Sequence, residues 1–148
     1  MILDILDIPA KFPDLLNGWV LVDGAFDPIH EGHIDYFQQS KKFGLPVACL
    51  LAPDTYTEKK HQVLLAVDKR AIVISSIREI DLVIFPNFDT AKSLSLLRPS
   101  IFFKGGDWRD KLPQDITDTC SELSIQIEYG DSPLNSSSKI LERYRAKS

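Results

Sequence analysis

The chain lacks most of what would place it among disulfide-stapled, membrane-spanning or nucleic-acid-gripping proteins. It has two cysteines, Cys49 in an apolar run and Cys120 in a predicted helix, with no spacing that pairs them. A disulfide framework is therefore not expected; two free thiols suit a reducing compartment, and the expected location is cytoplasmic. Long apolar runs are missing too: "VACLLA" and "HQVLLAV" fall far short of the roughly 20 residues that cross a bilayer. The opening "MILDILDIPA" carries two Asp and no basic residue, unlike a signal peptide. There is no basic excess. With 17 Lys and Arg against 21 Asp and Glu, the net charge is -4, a poor balance for holding a nucleic-acid backbone. Neither a nucleic-acid nor a membrane partner is expected, although a small polyanion is compatible if basic groups converge locally. No repeat, low-complexity tract or linker interrupts the chain. Neither G-x-x-x-x-G-K-[ST] nor G-x-G-x-x-G occurs, so a P-loop and a dinucleotide fingerprint are both excluded. "GDSPL" (residues 130–134) looks like the start of an esterase signature, but no His follows His61 to act as its general base.

What is present is alternation. A length of 148 residues with 44% hydrophobic content suits one domain with a sizeable core. Short β-rich runs at 18–23, 46–52, 81–86, 100–105 and 124–129 alternate with helical patterns at 31–43, 65–77, 90–97, 114–123 and 136–146. Continuous apolar strands between amphipathic helices predict an α/β domain, a Rossmann-like doubly wound five-stranded parallel sheet with helices on both faces. It should occupy residues 18–148. Residues 1–17 stand apart as an N-terminal extension, with a short helix that packs on the domain or on a partner. Ligands of such sheets bind beyond the carboxyl ends of the strands. Three unusual segments fall at those ends.

The first is "DGAFDPIHEGH" (residues 23–33). Gly24 lets the backbone turn close to a ligand, and helix onset near Glu31 would leave backbone N–H groups facing the rim as an anion site. His30 and His33 are three apart, so both imidazoles share a face of the first turn, where a bound phosphate would raise their pKa and strengthen donation. The alternatives are two surface histidines, or zinc ligands completed by His61. The second segment is "KGGDW" (104–108). Gly105 and Gly106 allow close approach, Asp107 can accept from a ribose hydroxyl or a base amine, and Trp108 can wall a base pocket; a plain Gly-rich turn is the alternative. The third is "NSSSK" (135–139), a helix N-cap whose three hydroxyls, Ser136 to Ser138, can also hold phosphate. Among the basic residues, Lys59, Lys60, Lys69, Arg70, Arg78, Lys92, Lys104 and Lys111 each read singly as solvated surface charge. Lys59, Lys60 and His61 lie in the loop after the second strand, which brings them to the same rim.

Together these segments resemble the cytidylyltransferase-like nucleotidyltransferases with a His-x-Gly-His signature. "GAFDPIHEGH" matches Gly-x-Phe-Asp-x-x-His-x-Gly-His. "DKRAIVISSIREIDLVI" is similar to a family helix and strand with arginines placed like Arg70 and Arg78, and "KGGDW" and "NSSSKIL" resemble two further family segments. The resemblance implies a triphosphate site lined by Gly24, Ala25, Phe26, Asp27, His30, Gly32 and His33, with donors from Arg78 and Ser136 to Ser138. It implies nucleotide contacts from Lys60, His61, Gly105, Asp107 and Trp108, and acceptor-phosphate contacts from Lys59 and Lys92. His30, His33, Lys59, Arg78 and Ser137 would carry the catalysis. Two branches compete, the glycerol-phosphate cytidylyltransferases and the adenylyltransferase domain of ADP-heptose synthesis. "KGGDW" is closer to the second and "GDWRDKLP" to the first, whose Arg before Ser-Thr-Thr is replaced here by acid near Asp131. The implied activity is transfer of CMP or AMP from CTP or ATP to a phosphorylated polyol or sugar, with pyrophosphate released. Mg²⁺ would be held by the nucleotide phosphates and not by protein ligands, and a homodimer is implied. The alternative is a nucleotide-binding module without transferase activity.

Overall fold

The computed structural model describes residues 1–147. Six strands form one wholly parallel sheet: β1 (Ile2–Asp4), β2 (Val20–Gly24), β3 (Val47–Leu51), β4 (Leu82–Phe85), β5 (Ile101–Lys104) and β6 (Gln126–Tyr129). Their order is β1-β4-β3-β2-β5-β6. The α-helices are α1 (Ile8–Lys11), α2 (Glu31–Ser40), α3 (Asp54–Thr57), α4 (Val67–Ser75), α5 (Thr90–Leu97), α6 (Gln114–Glu122) and α7 (Ser137–Ala146). This is the doubly wound α/β architecture that the alternation predicts, with one strand more than the five expected.

The two faces follow from the period-two geometry of a strand. On β2, Leu21 points into one apolar layer with Ile5, Ile8, Leu16, Leu94, Leu97, Ile116 and Cys120, so the N-terminal segment, α5 and α6 cover that face. Val20 and Val22 point the other way, to Phe37 of α2 and to Ala71 and Ile74 of α4. All five residues of β3 are buried, which is why "VACLL" reads as an unbroken apolar run and not as an alternating one.

The sixth strand comes from the N-terminal segment. Ile2, Leu3 and Asp4 pair with Val83, Ile84 and Phe85 at the sheet edge. Asp4 then caps a single 3-10 turn by accepting from the Leu6 amide at 2.9 Å, and the four-residue α1 follows. A short helix does form here, but a strand precedes it. α2 ends in a 3-10 turn (Lys41–Phe43) stopped by Gly44, whose φ of 70° is left-handed.

The order also locates the site. From β2 the chain builds outward through β3 and β4, then returns to place β5 on the other side of β2. The carboxyl ends of β2 and β5 therefore flank the crevice at the topological switch point, where open α/β sheets bind ligands. "DGAFDPIHEGH" leaves one of those strands and "KGGDW" the other.

Candidate active site

His30 is the N-cap of α2. Its Nδ1 accepts the Gly32 amide at 3.1 Å, and Nδ1 of His33 accepts the His30 amide at 3.3 Å, a reciprocal capping box built from imidazoles. The rings stack at 3.7 Å with 24° between planes, and His33 meets Phe26 edge-on at 4.9 Å. Because both Nδ1 atoms accept, each neutral ring carries its proton on Nε2. His30 Nε2 is buried and has no hydrogen-bond partner among the described residues. Burial lowers the pKa of His30, outweighing the nearby Glu31 carboxylate. Burial, then the adjacent His30, brings His33 down to about 3. In the free protein both rings are thus neutral donors. The amide nest expected at this helix start is largely absent, since the Gly32 amide goes to His30 Nδ1 and the His33 amide to the His30 carbonyl at 3.0 Å. The Nε2–H groups stand in its place. Gly32 is required because a Cβ there would sit 2.9 Å from the His30 ring and 3.0 Å from the Asn135 amide.

The rings line a cavity of about 1040 Å³ along the carboxyl edge of the sheet. It gathers most of the expected residues: Gly24, Ala25, Phe26, Asp27, His30, Gly32 and His33 from the β2–α2 connection, and Lys59, Lys60 and His61 from the loop after α3. Gly105, Asp107 and Trp108 line it after β5, and Ser136 to Ser138 at the start of α7. His61 does not join the other two histidines as a metal set: its Nδ1 lies 2.8 Å from the Gln62 carbonyl. Among the described residues no three His, Cys, Asp or Glu side chains gather as a metal site.

Several of the expected residues sit elsewhere or are engaged by the protein itself. Arg78 is not at this rim. It is exposed in the turn that leads into β4, at the amino ends of parallel strands and so on the opposite edge. Lys92 does not line the cavity either; its ammonium lies 4.2 Å over the ring of Phe88, which does. Phe26 lines the cavity with its side chain largely in the core, at 6% exposure, where its ring supports His33. Asp27 is 1% exposed, and its two oxygens accept the amides of Leu64 and Leu65 at 2.8 and 3.0 Å, so its side chain is engaged with the segment after α3. Ser137 Oγ donates to the Pro28 carbonyl at 2.8 Å, tying α7 to the histidine loop, while Ser136 Oγ caps α7 by accepting the Lys139 amide.

Two basic residues that read singly as surface charge in the sequence are buried. Arg70, 1% exposed, donates to the carbonyls of Leu65, Ala25 and Ala52 and to Asp54 Oδ1 at 2.6 Å. Lys104 pairs with Asp23 Oδ1 at 2.6 Å across the switch point, with the Trp108 ring 4.5 Å from its ammonium. Both Asp23 and Lys104 line the cavity. A signal for Lys104 was available, since it ends an apolar strand where its neighbours are buried; its partner, 81 residues away, was not.

A parallel sheet with uncharged donors and lysines over its switch-point crevice is the arrangement of an α/β ligand-binding domain. The chain belongs to the cytidylyltransferase-like family, whose sequence profile matches residues 21–143. Family membership supports nucleotidyl transfer as the general chemistry. The FAD synthase of Aciduliprofundum boonei is 28% identical over 130 residues, covering 82% of this chain and 87% of that protein. The bifunctional protein HldE of Aliarcobacter butzleri is 29% identical over 146 residues; the match covers 94% of this chain but 30% of HldE. A solved lipopolysaccharide core biosynthesis protein from Thermoplasma volcanium shares the fold, with a TM-score of 0.66 at 24% identity over 79% of this chain and 98% of that one. No helix among the described residues is long and apolar enough to cross a membrane.

Proposed function

We propose that this protein transfers CMP or AMP from CTP or ATP to a phosphorylated polyol or sugar and releases pyrophosphate. The observation that carries the proposal is the stacked histidine pair in the wall of the switch-point cavity, held in the tautomer that leaves a neutral Nε2–H on each ring, with the buried Nε2 of His30 unpartnered among the described residues. A phosphate monoester is already anionic near neutral pH, so its oxygen attacks the α-phosphorus without a general base. One P–O bond forms there, the bond to the bridging oxygen of the β-phosphate breaks, and pyrophosphate leaves with the electron pair. What the protein must supply is alignment and donors for charge on the α-phosphate and the leaving group. His30 and His33 serve the nucleotide phosphates from one wall, Lys60, His61 and the Ser136 and Ser138 hydroxyls from others, and Lys59 the acceptor phosphate. A divalent ion carried by the nucleotide phosphates would neutralise charge on them.

The acidic wall suits an acceptor rich in hydroxyls. Asp107, Asp115 and Asp131 line the same cavity, and carboxylates accept from hydroxyl donors while repelling a second phosphate. The likeness to an FAD synthase makes flavin mononucleotide the acceptor to test beside them.

The test is pyrophosphate release with CTP and with ATP, against glycerol phosphate, sugar phosphates and flavin mononucleotide. Release with a polyol or sugar phosphate is expected. Nucleotide binding with no release from any acceptor would establish a binding module instead. His33→Ala should keep the fold by circular dichroism and lose about 10²–10³ in turnover, the usual cost of one such donor. Near-full turnover in that variant would remove the histidine pair from the chemistry.

A further inference from the structure

We propose that Asp27 and Arg70 are positioning residues: a buried carboxylate and a buried guanidinium that dock the lysine-bearing segment 53–66 onto the histidine loop and so set affinity for the phosphorylated ligands. This rests on the functional reading above for which ligands bind, but not for the docking itself.

The segment has little else to hold it. Between Pro53 and Lys69 only Thr57 is buried, while Leu64 and Leu65 are 49% and 43% exposed. Apolar burial, which stabilises by about 25 cal/mol per Å² removed from water, is nearly missing here. Polar contacts replace it. Asp27 receives both the Leu64 and the Leu65 amide. Arg70 reaches the Leu65 carbonyl through Nε at 2.9 Å, and Ala25 and Ala52 through Nη1 at 2.7 and 3.0 Å. Its Nη2 meets Asp54 at 2.6 Å, and the other Asp54 oxygen accepts the Val67 amide at 3.3 Å. One guanidinium thus joins the loop after β2, the loop after β3, the start of α3 and the end of the segment. Lysine has neither the planar fork nor the donors to do this.

Charged groups 1% exposed are costly to desolvate and persist only with their partners in place. Here the Leu64 and Leu65 amides, the Leu65 carbonyl and the Asp54 carboxylate among those partners belong to the segment that presents Lys59, Lys60 and His61 to the cavity. Docking of that segment and integrity of the sheet are therefore separable. The apolar layers above and below β2 and β3 do not include it.

The experiment combines amide hydrogen exchange with steady-state kinetics on Asp27→Asn, Arg70→Lys and Asp54→Asn, the last at a position exposed enough to leave folding intact. An Asn at 27 turns one acceptor into a donor facing an N–H. Protection of the Leu64 and Leu65 amides should fall about tenfold or more while β2, β3 and β5 stay protected, since one of the two amides then faces a donor in place of its acceptor. KM for nucleotide and acceptor should rise about tenfold, with kcat changed by less. Arg70→Lys should not rescue, and Asp54→Asn should move both readouts the same way by less. Equal loosening of segment and strands would overturn the proposal, as would a loosened segment with unchanged KM. A wild-type protein with no transferase activity would sink the functional reading alone, because hydrogen exchange and direct CTP or ATP titration still report docking and its coupling to binding.

Discussion

His33 shows how one residue carries structural and chemical duties at once. Its Nδ1 closes the cap of α2, its ring packs between His30 and Phe26, and that burial holds it neutral with a pKa of about 3. The same burial has a consequence for stability. An unfolded imidazole titrates near 6.5. Above that pH both states are neutral and His33 contributes no pH dependence. As pH falls from 6.5 toward 3 the unfolded chain takes up the proton first, so stability is lost across that window at up to about 1.4 kcal/mol per pH unit. His30, shifted in the same direction, adds to the loss. Urea denaturation at pH 7, 5.5 and 4.5 should show the decline, and His33→Asn should have a shallower slope. An unchanged slope would mean that the ring is not sequestered as described.

At the scale of elements, what a sequence reveals depends on whether an element's signal is local. β3 and β5 are legible because strands covered on both faces read as unbroken apolar runs, broken in β5 only at its last residue, Lys104, and α2 because its apolar positions recur at helical spacing above a stop at Gly44. β1 is not legible: three residues have no measurable period, and they become a strand only because β4 leaves an open edge beside them. The site divides in the same way. His30, Gly32 and His33 declare themselves by type and spacing, whereas Arg70 and Lys104 look like solvated charge until the fold brings up Asp54, the loop carbonyls and Asp23. Neither the tautomer of the histidines nor the placement of Arg78 on the far edge is written in a residue pattern. The N-terminal segment's contribution can be measured directly. Ile5, Ile8 and Leu16 are at most 1% exposed beneath α5 and α6, so they belong to the main core despite lying outside the strand–helix alternation. Ile8→Ala should cost about 2–5 kcal/mol in chemical denaturation, the range for truncating a well-packed aliphatic side chain. A cost below 1 kcal/mol would show that this segment is only draped on the sheet.

For the whole molecule, the cavity matters because it bridges the two halves of the sheet. Its walls come from β3 and the loop after β4 on one side of the switch point and from β5, the loop after β6 and α7 on the other. α7 has no fully buried residue, and its start is tied to the histidine loop by Ser137 to Pro28 and Asn135 to Glu31. On the proposed reading, a nucleotide triphosphate seated across the crevice would contact both halves, bind only the folded chain, and stabilise it by mass action whether or not chemistry follows. At about 100 times its Kd the gain is about 2.7 kcal/mol. For a domain of this size that corresponds to a rise of roughly 5–10 °C in the melting temperature. CTP and ATP compared at equal concentration with Mg²⁺ should differ in the size of the shift, and the larger shift identifies the donor without an acceptor in hand. His33→Ala and Asp27→Asn should each reduce it, the first by removing a donor and the second by releasing the lysine-bearing segment. A shift of less than 1 °C with both nucleotides at millimolar concentration would deny the crevice its ligand, and the transferase and the binding module would fall together.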